Sequence, residues 1–441
     1  MKKLFFVLLI FYTSPIWSIT VPLADSLPLS QEKMSNIMDI IYNEYVDHIG
    51  SDTLLRWAVG GITDHLDPFS SYIQPKAFER FKESTKGYFG GLGIEITLRD
   101  DYVTVIAPLE GTPADSAGIE SGDKIATIKN TDTDIIQAKG LSIEEAVELL
   151  RGDVGSTVVI GIIREGDTVP FDLTLVREVI RVKSVNTRLF EDSIGYVRLS
   201  KFKEISSDEF VTALTKLEED KIKSLVLDLR NNPGGLLNIV VEIASTLLNP
   251  GQIIVSTKGR RAELQKVYVS HNTPHSWKGP LVVLINRGSA SGSEIIAGAI
   301  QDHKRGVLLG TRTFGKASVQ NVRSLPDGTG LKITTAKYYT PLGRMIHNVG
   351  IEPDIEMPFK YPDYKKDAKG DNDSAPISIY HKNIKNDTLT ANAHDTSTID
   401  THGTRIESIS EVNDNQLKKA LTFLKYYEIL NDNPSDRRKE K

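Results

Sequence analysis

Leu281-Val282-Val283-Leu284-Ile285-Asn286-Arg287-Gly288-Ser289-Ala290-Ser291-Gly292-Ser293-Glu294 begins as an unbroken apolar run, passes through small residues and ends where a helix starts. Five consecutive aliphatics fit a strand buried on both faces. A helix over 293–303 follows it. The runs Ile194 to Leu199, Ser224 to Leu229 and Gln252 to Ser256 are of the same kind, with helical patterns at 207–219 and 237–248 between them. Strand–helix alternation across 194–358 predicts an α/β core.

Outward from that core the character changes twice. In 86–178, Gly87, Gly90, Gly91 and Gly93 cluster before the alternating run Ile94-Glu95-Ile96-Thr97-Leu98. Strands over 102–107, 157–164 and 171–176, and one helix over 142–151 with Ile143, Ala146, Val147 and Leu150 on one face, predict a compact β-rich domain. Residues 28–85 read as a helical module. Met34, Ile37, Met38, Ile41 and Tyr45 recur at helical spacing, a second amphipathic stretch follows over 54–66, and Asp67-Pro68 ends it. Residues 359–413 are rich in Asp, Asn, Ser, Thr and Lys and predict a disordered polar linker. Residues 414–441 predict an amphipathic helix over 416–430 and a charged tail.

The chain has 441 residues, enough for two to four domains, with 39% hydrophobic and 25% charged residues. A net charge of -5 without a basic patch argues against nucleic acid as a partner. There is no cysteine, which removes disulfides, thiol catalysis and cysteine metal sites. Met1-Lys2-Lys3 followed by an apolar stretch to Tyr12 and small residues up to Ser18 predicts a signal peptide over 1–18. The rest of the chain is then exported, to the periplasm or cell envelope. Left uncut, the same segment is a marginal anchor in the inner membrane.

Ser291 stands where the 281–285 strand gives way to a helix, among Gly288, Ala290 and Gly292. Helix N-terminal N–H groups favour negative charge there, as an oxyanion requires, and the Gly292 N–H is one candidate donor. The competing reading is a helix cap by Ser289, Ser291 or Ser293. Asp228-Leu229-Arg230-Asn231-Asn232-Pro233-Gly234-Gly235 ends another buried strand, and its two glycines offer further donors. Lys316 lies between Gly315 and Ala317 in an apolar setting. Burial disfavours an ammonium, so a neutral Lys316 can take the proton of Ser291, with Gln320 to orient the amine. The competing reading is a surface lysine. His303, twelve residues beyond Ser291, is ~18 Å along the same helix and out of reach. His271 and His275 lack a zinc pattern. Gly90, Gly91, Leu92 and Gly93 can turn N–H groups toward a peptide carboxylate. The strand from Gly93 can add an extended peptide, with Ile94, Ile143 and Val147 lining the groove.

Together these residues resemble the C-terminal processing peptidases, carboxyl-terminal proteases that use a Ser–Lys dyad. The motifs are Leu66-Asp67-Pro68-Phe69-Ser70-Ser71-Tyr72, Phe89-Gly90-Gly91-Leu92-Gly93-Ile94, Leu227 to Gly235, Ser289 to Ile295, Thr313 to Gln320, Tyr338-Tyr339-Thr340-Pro341-Leu342-Gly343-Arg344 and Gly350-Ile351-Glu352-Pro353-Asp354. The similarity runs over about 35–358 and again over 414–424. It implies Ser291 as nucleophile, Lys316 as general base and Gln320 holding the lysine. Backbone N–H groups of Gly292 and the Gly234-Gly235 turn become the oxyanion donors.

The resemblance also implies the fold: an α/β crotonase/Clp-like peptidase core over 179–358 with an inserted PDZ domain over 86–178 and flanking helices. It implies protein substrates with exposed C-terminal tails, no cofactor, and room for an adaptor and a homo-oligomer. Two residues depart from the family pattern: Gly292 stands where alanine is usual after the nucleophile, and Ala317 where glycine is usual after the lysine. A catalytically silent PDZ peptide-binding scaffold is the alternative. A Ser-x-x-Lys acyl transferase is not, because Ser291 and Lys316 are too far apart in sequence.

Overall fold

A computed structural model describes residues 27–130, 134–167, 169–360, 398–399 and 405–431. The predicted signal peptide and most of the predicted linker lie outside the described residues. The chain divides into two compact units, the first ending at Tyr72. The first unit contains helices Leu27–Glu44 and Ser51–Asp64. The second helix gives way to a turn in which Asp67 Oδ1 accepts the N–H groups of Phe69 and Ser70 at 2.8 and 2.9 Å. The expected helical module at 28–85 is therefore shorter than predicted. Its third helix, Pro75–Lys86, belongs to the second unit, where Phe78 is buried against Gly330. A methyl group on Gly330 would lie 2.5 Å from the Phe78 ring.

The β-rich domain is an antiparallel sheet in the order Ile94–Arg99, Tyr102–Pro108, Lys124–Asn130, Thr157–Ile163, Phe171–Val176. Alternate residues such as Val103, Val105, Ile125, Val158, Ile160 and Ile162 face one apolar core. Helix Ile143–Leu150 closes that core, its start fixed by a reciprocal Ser142–Glu145 capping box. Strand Ile94–Arg99 is an edge. The strand Glu178–Arg181 pairs back onto Tyr88–Gly91, so entry and exit of the domain run side by side. The expected boundary at 178/179 thus cuts through a two-stranded ribbon.

The core carries an eight-stranded sheet in the order Ile355–Glu356, Val307–Gly310, Leu281–Ile285, Ser224–Asp228, Ile194–Leu199, Val185–Phe190, Arg405–Glu407, Thr398–Ile399. From Ile355–Glu356 through Ile194–Leu199 the pairing is parallel. Strand residues alternate between two covered faces. Leu225, Leu227, Val283 and Ile285 pack with helices Ser206–Glu219, Leu237–Leu247 and Gly292–Asp302. Val226, Val282 and Leu284 pack with Leu417, Ala420, Leu421 and Leu424 of helix Asn415–Asn431.

A second sheet joins Ser318–Ser324, Gly330–Tyr339, Ile253–Gly259 and Lys266–Val269. The linker expectation is corrected at its C-terminal end. Arg405–Glu407 pairs in parallel with Leu189 and Phe190, and Ile409 is buried. Backbone pairing to Val185–Phe190, together with Ile406 and Ile409 packing against the core, orders this stretch.

Candidate active site

Three parallel strands, Ser224–Asp228, Leu281–Ile285 and Val307–Gly310, send their following loops out at the same end of the sheet. The middle loop holds its three serines differently, and Ser291 with Glu294 forms the capping box of the helix that follows. Ser289 is fully buried, and its hydroxyl donates to Leu229 O at 2.8 Å while accepting the Asn286 N–H. Ser293 is fully buried, and its hydroxyl donates to Asn232 O at 2.9 Å. Ser291 between them is half-buried, with φ 52° and ψ -110° at the mouth of helix Gly292–Asp302. A positive φ at a residue with a side chain costs about 1–3 kcal/mol and persists where the surroundings impose it.

The surroundings that impose it centre on Glu294, which is fully buried. Its Oε2 accepts the N–H of Ser291 and the N–H of Lys316, each at 2.8 Å. Its Oε1 accepts the N–H of Gly315 and the hydroxyl of Thr313, each at 2.6 Å. One carboxylate therefore grips the serine loop and the lysine loop together. Two further bonds join those loops. The Phe314 N–H donates to Ser289 O at 3.0 Å. The Tyr338 hydroxyl donates to Lys316 O and lies 3.2 Å from Ser291 O. Burial, reinforced by the nearby Glu294 charge, pushes the Tyr338 phenol well above its usual range and keeps it a neutral donor. Behind the lysine loop, Gly315 (φ 90°) leaves no room for a methyl against the N–H groups of Val349 and Gly350, both 2.9 Å away.

Lys316 is half-buried and Ala317 fully buried. Gln320, four residues on in strand Ser318–Ser324, has its amide nitrogen held by Ser318 Oγ at 2.9 Å and Thr334 Oγ1 at 3.1 Å. That leaves the amide oxygen as the acceptor an amine would use. Gly292 has a side-chain-free position for a steric reason. A methyl there would stand 2.6 Å from Val240 Cγ2 and 3.1 Å from the Phe202 ring. The departure from alanine is matched by those two side chains, which fill the space.

The glycine turn comes against the serine as expected. A methyl on Gly234 would sit 2.8 Å from both Ser291 Cβ and Gly292 N. One expected donor is corrected. The Gly234 N–H is already spent on Asn232 Oδ1 at 2.9 Å. Among the described residues the N–H groups of Gly235 and Gly292 take no partner. Gly235 is confined from the other side, since a methyl there would lie 2.0 Å from Phe202 O.

Three histidines are occupied elsewhere: His271 faces Glu242 at 3.0 Å, His275 faces Glu218 at 3.6 Å, and His303 bonds to Ile253 O at 2.7 Å. A cleft of about 580 Å³ runs between helix Pro75–Lys86 and the second sheet. Phe81, Tyr268 and Val322 line it, and Leu236 and Gln320 place its wall beside the glycine turn and the lysine loop.

Sequence reasoning missed Glu294, Tyr338 and Asn232 as site residues. The signal for Glu294 was present, because it follows Ser291 at the capping-box interval of three.

In the β-rich domain the carboxylate loop narrows. Gly90 and Gly91 are taken up by pairing with Val179 and Glu178. The N–H groups of Leu92 and Gly93 have no partner among the described residues. Gly93 is required twice over, by its φ of 75° and because a methyl would stand 2.4 Å from Thr112. Helix Ile143–Leu150 flanks the open edge of strand Ile94–Arg99, with Ile94, Ile143 and Val147 half-buried.

Comparison with known proteins bears on both parts. The model of peptidase family S41 matches residues 193–357, and that of the PDZ domain matches residues 90–175. A carboxy-terminal-processing protease of Bartonella bacilliformis is 38% identical over 379 residues, 82% of this chain and 85% of that protein. A carboxyl-terminal-processing protease of Synechocystis sp. is 38% identical over 300 residues, 66% of this chain and 68% of that protein. Among solved structures, a photosystem II D1 C-terminal processing protease is 32% identical, covering 73% of this chain and 86% of that chain with a TM-score of 0.42.

Proposed function

The chain belongs to the carboxy-terminal-processing proteases of peptidase family S41, serine-type peptidases with a PDZ domain, and on that premise we propose that it is an exported endopeptidase that cuts proteins near their C-termini with Ser291 and Lys316. One observation carries the residue assignment. A single buried oxygen, Glu294 Oε2, accepts the backbone N–H groups of both Ser291 and Lys316. Two loops 22 and 3 residues from Glu294 are thereby held to one point.

In the proposed mechanism the neutral amine of Lys316 accepts the proton of Ser291 Oγ as that oxygen attacks the scissile carbonyl carbon. The carbonyl π electrons move onto oxygen, and the N–H groups of Gly292 and Gly235 hold the resulting anion. Collapse of the intermediate expels the amine, which takes the proton from the Lys316 ammonium. Water then attacks the acyl-enzyme, with Lys316 again the base. Gln320 Oε1 orients the amine between the two half-reactions. Tyr338 and Glu294 keep the loops in register and take no proton.

The PDZ edge strand supports recognition of an extended C-terminal tail: Leu92 and Gly93 N–H groups for its carboxylate, and Ile94, Ile143 and Val147 for its apolar side chains. We further propose that the core is of the crotonase/Clp-like type and that 1–18 is the export signal, acting in the periplasm or cell envelope. An adaptor, inner-membrane association through the N-terminal segment and homo-oligomers belong to the same proposal. The test is to incubate the protein with tail-tagged unfolded substrates and map the products by mass. Cuts near the tail, lost in Ser291→Ala and Lys316→Ala, are expected. Tight tail binding without cutting by the wild type favours the scaffold alternative.

A further inference from the structure

The turn that offers Gly235 to the substrate starts from Arg230, which is 2% exposed. Arg230 Nε lies 2.9 and 3.1 Å from the two oxygens of Asp228, and Nη2 lies 2.6 Å from Oδ2. The other face of the guanidinium turns to the far end of the chain. Nη2 reaches Asp414 Oδ2 at 2.7 Å, and Nη1 donates to Gln416 Oε1 at 2.9 Å. Asp414 Oδ1 meanwhile accepts the N–H groups of Gln416 and Leu417, both at 3.0 Å, and so caps helix Asn415–Asn431. Gln416 Nε2 donates to Met357 O at 2.6 Å.

From Arg230 to the donor the chain has little slack. The Arg230 N–H donates to Asp228 Oδ1 at 2.9 Å. Asn231, at φ 58°, is held by Asn286 through two bonds of 2.9 Å. Asn232 spans Leu199 O and the Gly234 N–H. A shift of Arg230 therefore passes into the turn instead of being absorbed before it.

We propose that the first turn of the C-terminal helix is a positioning element of the active site, in which Asp414 and Gln416 act through Arg230 to set the Asn231–Gly235 turn and its oxyanion donor. The inference rests on the reading of Ser291 as nucleophile and of this turn as its oxyanion site. Asp414 binds Arg230 and caps the helix with different oxygens, so the two roles can be separated. Asp414→Asn keeps a good N-cap and removes one of the two carboxylates that face Arg230, while the Asp228 pair and the Gln416 bond stay in place.

The experiment compares full-length wild type, Asp414→Asn, Asp414→Ala, Gln416→Met and Ser291→Ala. Each is assayed for steady-state cleavage of an unfolded tail-tagged reporter, for its rate of acylation by a fluorophosphonate, and for thermal unfolding. Rates are taken well below every melting temperature. The expected result for Asp414→Asn is a fall of roughly tenfold in kcat and in acylation, with KM within about twofold, a fraction of what deleting an oxyanion donor costs. Gln416→Met should lose less, in the same direction, and Asp414→Ala should match Asp414→Asn in kcat while melting lower. Asp414→Asn with a lowered melting temperature and wild-type kcat would overturn the inference, as would loss of kcat in Asp414→Ala alone. If Ser291→Ala still cleaves, the underlying catalytic reading fails. If Ser291→Ala is dead and Asp414→Asn is normal, only the positioning role fails.

Discussion

The PDZ domain and the peptidase core each bury an aspartate against an arginine, and they use the pair differently. In the PDZ domain Asp123 is 1% exposed and takes two bonds of 2.8 Å from Arg164, whose remaining donors go to Glu120 and Gly118. Everything in that network lies within one domain and fixes one turn. In the core, Asp228 and Arg230 draw in a helix 186 residues away. The same contrast holds at the sites. The PDZ domain leaves an edge strand and two N–H groups open for an outside chain. The core turns its polar groups inward, where Glu294, Tyr338 and Asn232 hold the serine loop, the lysine loop and the glycine turn. A binding surface tolerates variation that a reaction centre does not, so equal substitutions should weigh far more on one side.

The largest effects belong to the proposed dyad. Ser291→Ala and Lys316→Ala should each lower kcat about 10³-fold or more on an unfolded reporter, while C-terminal peptide affinity by fluorescence anisotropy stays within twofold. Unequal binding in these variants would break the separation of the two regions. Glu294→Gln comes next. Whichever way the amide is turned, its NH₂ faces two of the four donors that now converge on the carboxylate, so a loss of about 10²-fold in kcat is expected. Gly234→Ala should act on a similar scale, since φ 98° and a methyl 2.8 Å from Ser291 Cβ leave the turn nowhere to go. Against these, Val147→Glu in the PDZ groove should raise KM for tail-bearing substrates about tenfold and leave kcat unchanged.

The sequence makes the contrast partly legible. Leu225 to Leu229 and Leu281 to Ile285 are strongly apolar because both sheet faces are covered, so the α/β core reads directly. The strand Gly330–Tyr339 does not. It alternates Lys332, Thr334 and Lys337 with apolar residues and has mostly half-buried positions, a weaker pattern that lacks a flanking helix to announce it. Ser291 can be named from its small neighbours, but separating it from Ser289 and Ser293 requires the distant carbonyls of Leu229 and Asn232 that occupy those hydroxyls. The choice between Gly234 and Gly235 turns on where the Asn232 side chain points, which no spacing encodes. Asp414 and Arg230 meet only because the last helix covers the sheet face that carries Asp228.

Acid stability sharpens the comparison of the two buried pairs. Burial by itself would raise the Asp228 carboxyl, but the charges of Arg230 and Arg198 outweigh it and hold it below its ordinary value. Asp123 is likewise depressed, with burial opposed by Arg164 and by the Glu120 N–H. A depressed folded-state carboxyl stabilises the fold above the unfolded value, about 3.9, and loses that contribution as pH falls through the lower folded value. Asp228→Asn leaves the buried Arg230 with Asp414 as its remaining carboxylate and should cost about 3 kcal/mol at pH 7, with a flatter decline of stability below pH 4 in urea titrations. Asp123→Asn should cost less, since Arg164 remains 30% exposed and can be hydrated.

The smallest effect lies at the surface that joins the regions. Glu148, on the PDZ helix, pairs with Lys76 at 2.7 Å and Arg80 at 2.9 Å of helix Pro75–Lys86. These pairs lower the Glu148 carboxyl, the Lys76 bond first and its charge next. All three side chains are substantially exposed, from 41% to 86%, so water and salt screen the attraction and side-chain ordering opposes it. Arg151, stacked over the Phe89 ring at 3.7 Å and paired with Glu83, ties the same two helices by a second route. Glu148→Ala should therefore shift the melting temperature by no more than about 1–2 °C. It should also change kcat/KM for tail-bearing substrates less than twofold at 0.15 M salt. A larger change in kcat/KM than in stability would mean that the exposed pair sets the docking of the PDZ helix, and the two regions would then be coupled more tightly than their separate hydrogen-bond networks require.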